Sequence, residues 1–298
     1  MNNFSIDNLS HSCNYDNKKI TFIEWLNIGI ELIKLNYLSD ALFAFEKGLK
    51  ENPSYIPLLL KKAEVLSKLN KIDDAIVLYK NILKIEVNKQ ALFSLGILYF
   101  LKKNYKCSIH YYSKLLDLGL EDPKILYNYA LALEENHNLK EAYLCYNSIL
   151  KKDPSFEIAW FNKGLLAVEL GYIDEGIECF TKVILISNNN YDAWFNRGYL
   201  YSIKEDFDDA LYDFFKSIEL NDSYYKSYEE IGYIYLQMGF LNDALKYFEK
   251  SISLCRNTDS LFGKYYCLKK MNKINEANII LKEICDMDPH YKKLKDNY

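Results

Sequence analysis

Small and apolar residues return along this chain with a helical period that is interrupted at regular intervals. In residues 157–190, Trp160, Gly164 and Ala167 fall at i, i+4 and i+7 and so share one face of a first helix. A turn is expected at Gly171. Asp174 is then placed to cap a second helix, whose Gly176, Phe180 and Val183 again share a face. The equivalent cap place holds Ser39, Asp73, Asp208, Asn242 and Asn275, with Lys106 and Lys140 as departures.

The whole pattern repeats. Trp160, Lys163, Gly164, Gly176 and Phe180 return 34 residues later as Trp194, Arg197, Gly198, Ala210 and Phe214, and then as Tyr228, Ile231, Gly232, Ala244 and Phe248. Toward the N-terminus, Leu126, Tyr129, Ala130, Ala142 and Tyr146 keep the frame, as do Leu92, Leu95, Gly96 and Tyr112, and Trp25, Ile28, Gly29, Ala41 and Phe45. Eight units result: 22–55, 56–88, 89–122, 123–156, 157–190, 191–224, 225–257 and 258–291. Glycine within a helix costs about 1 kcal/mol relative to alanine, so its recurrence on first helices implies close packing. The last unit departs, with Tyr265 at the small place. All five prolines, Pro53, Pro57, Pro123, Pro154 and Pro289, fall at or beside a junction, where a missing N–H does least harm. Residues 1–21 lack the period and are expected to be a loose arm, and 292–298 a cap or tail.

This spacing of large, small, aromatic and junction proline resembles the tetratricopeptide repeat. The resemblance implies an all-α fold, a right-handed α-solenoid (superhelix) of eight antiparallel helix pairs. A unit this small cannot bury its faces alone, so neighbours must cover one another in one elongated core.

Composition narrows the function. Net charge is −4 and the pI about 5.7, unlike the basic field of a nucleic-acid binder. No secretory leader is visible, and the apolar runs, such as Ile56 to Leu60, are too short to cross a bilayer. The seven scattered cysteines read as reduced apolar residues. These features place the chain in the cytoplasm, with no nucleic acid and no membrane as partner.

No catalytic constellation is found, so the chain is expected not to be an enzyme. His11, His110, His137 and His290 are dispersed and read as surface or turn residues, and no metal or cofactor is implied. Glu205, Asp206, Asp208, Asp209 and Asp213 form an acidic run that suits the N-terminus of a second helix. Lys269, Lys270, Lys273, Lys292, Lys293 and Lys295 read as a solvated rim.

The family resemblance implies that the second, fifth, sixth and ninth places of each unit face a concave groove. The sixth place holds Asn27, Asn128, Asn162 and Asn196, the last three in consecutive units. An amide offers a donor and an acceptor, matching a peptide unit. In similar solenoids, including those fused to sugar-transferring enzymes, such a ladder grips an extended peptide. The fifth place adds Phe93, Tyr127, Phe161, Phe195 and Phe262, interrupted by Glu229, and the ninth adds Tyr199, Tyr233 and Tyr266. The clamp used by chaperone-tail adaptors of the family cannot be assembled, since Lys124 and Asn128 are accompanied by Tyr127 and Leu131. The expectation is a scaffold or adaptor that binds a protein or peptide. The alternatives are the recognition subunit of a separate enzyme, such as a glycosyltransferase system, and self-association through the ends.

Overall fold

The structure is a computed structural model that describes residues 20–288 and residue 290. The expectations for residues 1–19, Pro289 and the C-terminal cap lie outside the described residues. Among the described residues there are sixteen helices and no strand. They are α1 (Phe22–Lys34), α2 (Leu38–Glu51), α3 (Ile56–Lys68), α4 (Ile72–Ile85), α5 (Lys89–Leu101), α6 (Tyr105–Asp117), α7 (Pro123–Glu135) and α8 (Leu139–Lys152), followed by α9 (Glu157–Glu169), α10 (Ile173–Ile186), α11 (Tyr191–Ile203), α12 (Phe207–Leu220), α13 (Tyr225–Gln237), α14 (Leu241–Leu254), α15 (Thr258–Lys270) and α16 (Ile274–Met287). The chain divides into two compact units, Met1–Cys145 and Tyr146–Tyr298.

Each odd-numbered helix is joined to the next by one kind of turn. Its pivot has a positive φ and is Asn36, Asn70, Lys103, His137, Gly171, Glu205, Gly239 or Asn272. Around it two backbone bonds close a Schellman motif. In the first turn Tyr37 N–H donates to the Leu32 carbonyl at 2.8 Å and Asn36 N–H to Ile33 at 3.0 Å. The same pair of bonds recurs in every turn, down to Lys273 on Leu268 and Asn272 on Lys269. Glycine fills this left-handed position only twice. The remaining turns accept the steric cost because both flanking helices are fixed by packing.

The turn corrects the expected cap. The residue after each pivot, such as Tyr172 or Asp206, is already the N-cap of the second helix. Asp174 and its equivalents are therefore second helical residues, and their side chains do not cap. Asn104 stands at the true cap and accepts from Cys107 N–H at 3.1 Å. The carboxylates one turn inside still suit the helix dipole. Two of them also reach the next hairpin, where Asp73 pairs with Lys102 and Asp174 with Lys204.

The small residues pack against rings. A Cβ added at Gly29, Gly96 or Gly164 would lie 2.1, 2.6 or 2.9 Å from Phe45, Tyr112 or Phe180. These rings are fully buried, so each first helix lies almost directly on its partner's aromatic residue. In the last hairpin the sizes are exchanged. Tyr265 occupies the small place and Leu281 the ring place, and both are buried in one cluster. That exchange conserves volume, which explains why the departure is tolerated. Junctions are closed from the fourth place of the unit. Trp160, Trp194 and Tyr228 donate from their polar tips to the carbonyls of Pro154, Asn188 and Asp222.

Candidate interaction face

First helices of successive hairpins touch within each unit, α1 with α3 and α5 with α7 in one, α9 with α11, α11 with α13 and α13 with α15 in the other. In each unit these helices form a wall, on which the second, fifth, sixth and ninth places are expected to lie.

The fifth-place rings are half-buried. Phe93 meets Tyr112 edge-on at 5.9 Å, and Phe161 meets Phe180 at 5.7 Å. Phe195 packs on Phe214 and Tyr224. The row therefore serves the hairpin interior with one part of each ring and the wall with the other. Tyr127 is likewise half-buried, whereas Tyr199 and Tyr266 are exposed. Tyr233 packs on Phe248 at 4.9 Å and donates to the Asp259 carbonyl at 2.8 Å, tying α13 to the start of α15.

The sixth-place amides are oriented by their own surroundings. Asn128 and Asn196 each donate to the carbonyl four residues back, Lys124 and Asp192, at 2.7 Å. Asn162 donates to the Tyr146 hydroxyl at 3.3 Å. Each of these amides has one N–H engaged within the protein. Asn27, on α1, is exposed.

In α13 the sequence of the wall changes. The sixth place holds Glu230, half-buried. Burial pushes its carboxyl up to about 7, and Glu229 and Asp259 add to the rise. Glu229 is also raised, by burial first. Ser260, which donates to it, opposes the rise. In α15 the same place is Gly263, because a Cβ there would stand 2.2 Å from the Phe248 ring. An open cleft of about 590 Å³ lies at the start of α9 and α11, lined by Phe156, Glu157, Phe161, Asn190 and Asp192 among others.

The acidic run divides in two. Asp208 and Asp209 sit in the first turn of α12, as expected. Asp213 does not belong to that surface. It is 1% exposed and takes a two-pronged contact from Arg197 at 2.7 and 2.8 Å. Burial pushes its carboxyl up, and the Arg197 fork opposes that shift. Arg197 also reaches Thr181 and lies over Trp194. A spacing of sixteen residues between a first-helix Arg and a second-helix Asp was the available signal, since Gly164 and Phe180 meet at the same separation.

Among the described residues no group of three His, Cys, Asp or Glu could hold a metal ion. Burial raises the Cys145, Cys179 and Cys267 thiols to about 11, away from thiolate reactivity. No described helix is long and apolar enough to cross a membrane.

Stacked helix hairpins with a shared first-helix wall define a helical-repeat interaction scaffold. Three consecutive hairpins match family models described as tetratricopeptide repeat, at 158–190, 191–224 and 225–258. These three hairpins carry the tetratricopeptide repeat, and the chain is similar to proteins built from it. Among curated proteins, it is 25% identical over 135 residues to tetratricopeptide repeat protein 8 of Caenorhabditis elegans. It is 26% identical over 136 residues to the general transcriptional corepressor ssn6 of Schizosaccharomyces pombe. These matches take in 44% and 45% of this chain but only 26% and 12% of the relatives. Among solved structures, that of YrrB, a TPR protein with an unusual peptide-binding site, aligns with a TM-score of 0.56 and 24% identity. It covers 62% of this chain and 95% of its own. MamA aligns at 0.52 and 19% identity over 54% of this chain and 94% of its own. At these identities the structural likeness speaks for the fold.

Proposed function

We propose that the chain is a cytoplasmic scaffold or adaptor whose first-helix wall holds an extended segment of a partner protein. The observation that carries this reading is the recurrence of one oriented amide at one register place of the first helices, Asn162 and Asn196 in Tyr146–Tyr298 and Asn128 in Met1–Cys145. An amide side chain carries both an acceptor oxygen and N–H donors, the complement of a peptide unit. The flanking rings of Phe93, Tyr127, Phe161, Phe195, Tyr199 and Tyr233 supply apolar contact, and Asn27 extends the set to α1. Recognition through the guest backbone tolerates many guest sequences, which suits an adaptor. The peptide-binding site of the similarly folded YrrB is consistent with this use of the fold. The six described cysteines are free, as a reducing compartment keeps them.

The test is an array of random extended peptides probed with wild type and with Asn162→Ala/Asn196→Ala. Each unmade hydrogen bond is worth about 1–3 kcal/mol where the partner is desolvated, so binding should fall by tenfold or more across the bound peptides while helicity is kept. Equal binding by a folded double variant would contradict the reading.

A further inference from the structure

The wall of Tyr146–Tyr298 carries negative charge that its own chain does not neutralise. Asp192 stands at the second place of α11, Glu229 and Glu230 at the fifth and sixth of α13, and Asp259 at the second of α15. Among the described residues none of the four takes part in an ion pair. Four basic side chains of the same unit are engaged elsewhere. Arg197 holds Asp213, Lys204 holds Asp174, Lys216 holds Glu219, and Lys264 holds Glu249. Lys226 acts on Glu229, but as the weakest of five influences.

Three of these carboxylates converge with aromatic rings. The Tyr233 hydroxyl donates to the Asp259 carbonyl at 2.8 Å, and Ser260, next to Asp259, donates to the Glu229 carboxylate. Burial first, then Glu229, Asp259, Glu230 and Tyr266, raise the Tyr233 phenol. Tyr266 is 48% exposed and Tyr199, one hairpin earlier, 38%. Crowded half-buried carboxylates gain from an incoming cation, and aromatic faces attract the same cation. The site does not suit a bare metal ion, since no described triad of acidic groups lies close enough to ligate one. A polyanion is repelled.

We propose that this wall selects a cationic segment, directing a partner's Lys or Arg head among Glu229, Glu230 and Asp259 with its apolar stem against Tyr233 and Tyr266. The inference rests on the first-helix wall being the binding face and adds the chemistry of the guest. It departs from backbone recognition alone by demanding a positive side chain at one register, beside the amide row that ends at Asn196.

Three synthetic peptides of alternating serine with lysine, glutamine or glutamate serve as probes, titrated onto the full chain by fluorescence anisotropy at 150 mM salt. The lysine peptide should bind at least tenfold tighter than the glutamine peptide, and the glutamate peptide weakest. Glu229→Gln/Glu230→Gln/Asp259→Asn should abolish that preference. A control, Glu178→Gln/Asp208→Asn/Asp209→Asn, removes as much charge from second helices and should preserve it. Equal loss in both variants would reduce the effect to overall charge and overturn the proposal, as would no preference in wild type or failure of the lysine peptide to bind. If random peptides on the array still depend on Asn162 and Asn196 in those cases, the wall remains the binding face and only the cationic preference falls.

Discussion

The two compact units use one packing scheme and present different chemistry. In Met1–Cys145 the wall places hold Leu26, Ile30, Leu60, Phe93, Ile97, Tyr127 and Leu131, with Lys61, Glu64 and Lys124 as charged members. Lys61 is already paired with Glu64. In Tyr146–Tyr298 the same places hold Phe161, Leu165, Phe195, Tyr199, Tyr233, Phe262 and Tyr266, interspersed with four carboxylates, Asp192, Glu229, Glu230 and Asp259, and one cation, Lys226. The places buried between helices do not diverge in this way. Gly29 lies on Phe45 in one unit as Gly232 lies on Phe248 in the other. The interior constrains size, whereas the wall is free to vary.

The largest test of that separation is the buried ion pair of Arg197 and Asp213. Arg197→Ala strands Asp213 without its partner and should destabilise by about 3–5 kcal/mol in thermal unfolding. Importing the first hairpin's residues at these places, Arg197→Ile with Asp213→Ala after Ile28 and Ala44, should recover most of that loss. Failure to recover would mean that the pair defines the local packing. Next, Gly29→Ala and Gly164→Ala overpack the two units alike. Each should cost about 1–3 kcal/mol, less the helix propensity gained, and an effect confined to one unit would break the claim of a common interior.

Glu230→Gln sharpens the comparison from the wall side. A carboxyl raised from its ordinary value to about 7 binds more protons folded than unfolded, so it lowers stability as pH rises through that window. The variant should be more stable than wild type by roughly 1–2 kcal/mol at pH 8 and equal to it near pH 4, read by denaturant unfolding. The smallest effect is expected at the turns. Lys103→Gly in one unit and Glu205→Gly in the other relieve a left-handed side chain and should each stabilise by about 0.5–1 kcal/mol.

The hairpin pattern was legible because close packing leaves a mark in residue size. A small residue sixteen positions before a ring is visible without coordinates. The true second-helix caps were not, since a non-glycine pivot such as Asn36 or Glu205 leaves no mark and Asp174 looks like a cap. Asp213 was misread because burial is not written in a run of acids. The exchange of Tyr265 with Leu281 was visible only as a departure, because its compensation lies on another helix. At the wall, the register of the amides could be read, but not that Asn128 and Asn196 donate to their own helices. Nor could the sequence separate the buried part of Phe161 from its exposed part. Glu230 leaves no mark, because a glutamate beside another ordinarily sits in water; its burial and the approach of Asp259 arrive only with the fold.

The central claim is that the first-helix wall, and not the outer surface of the second helices, receives the guest. A photocrosslinking residue placed at Tyr199 on α11, or instead at Tyr212 on α12, tests it directly, since both sites are exposed. The account predicts that peptides bound from the array crosslink through position 199 and not through 212. Crosslinking through 212 alone, or equally through both, would contradict it.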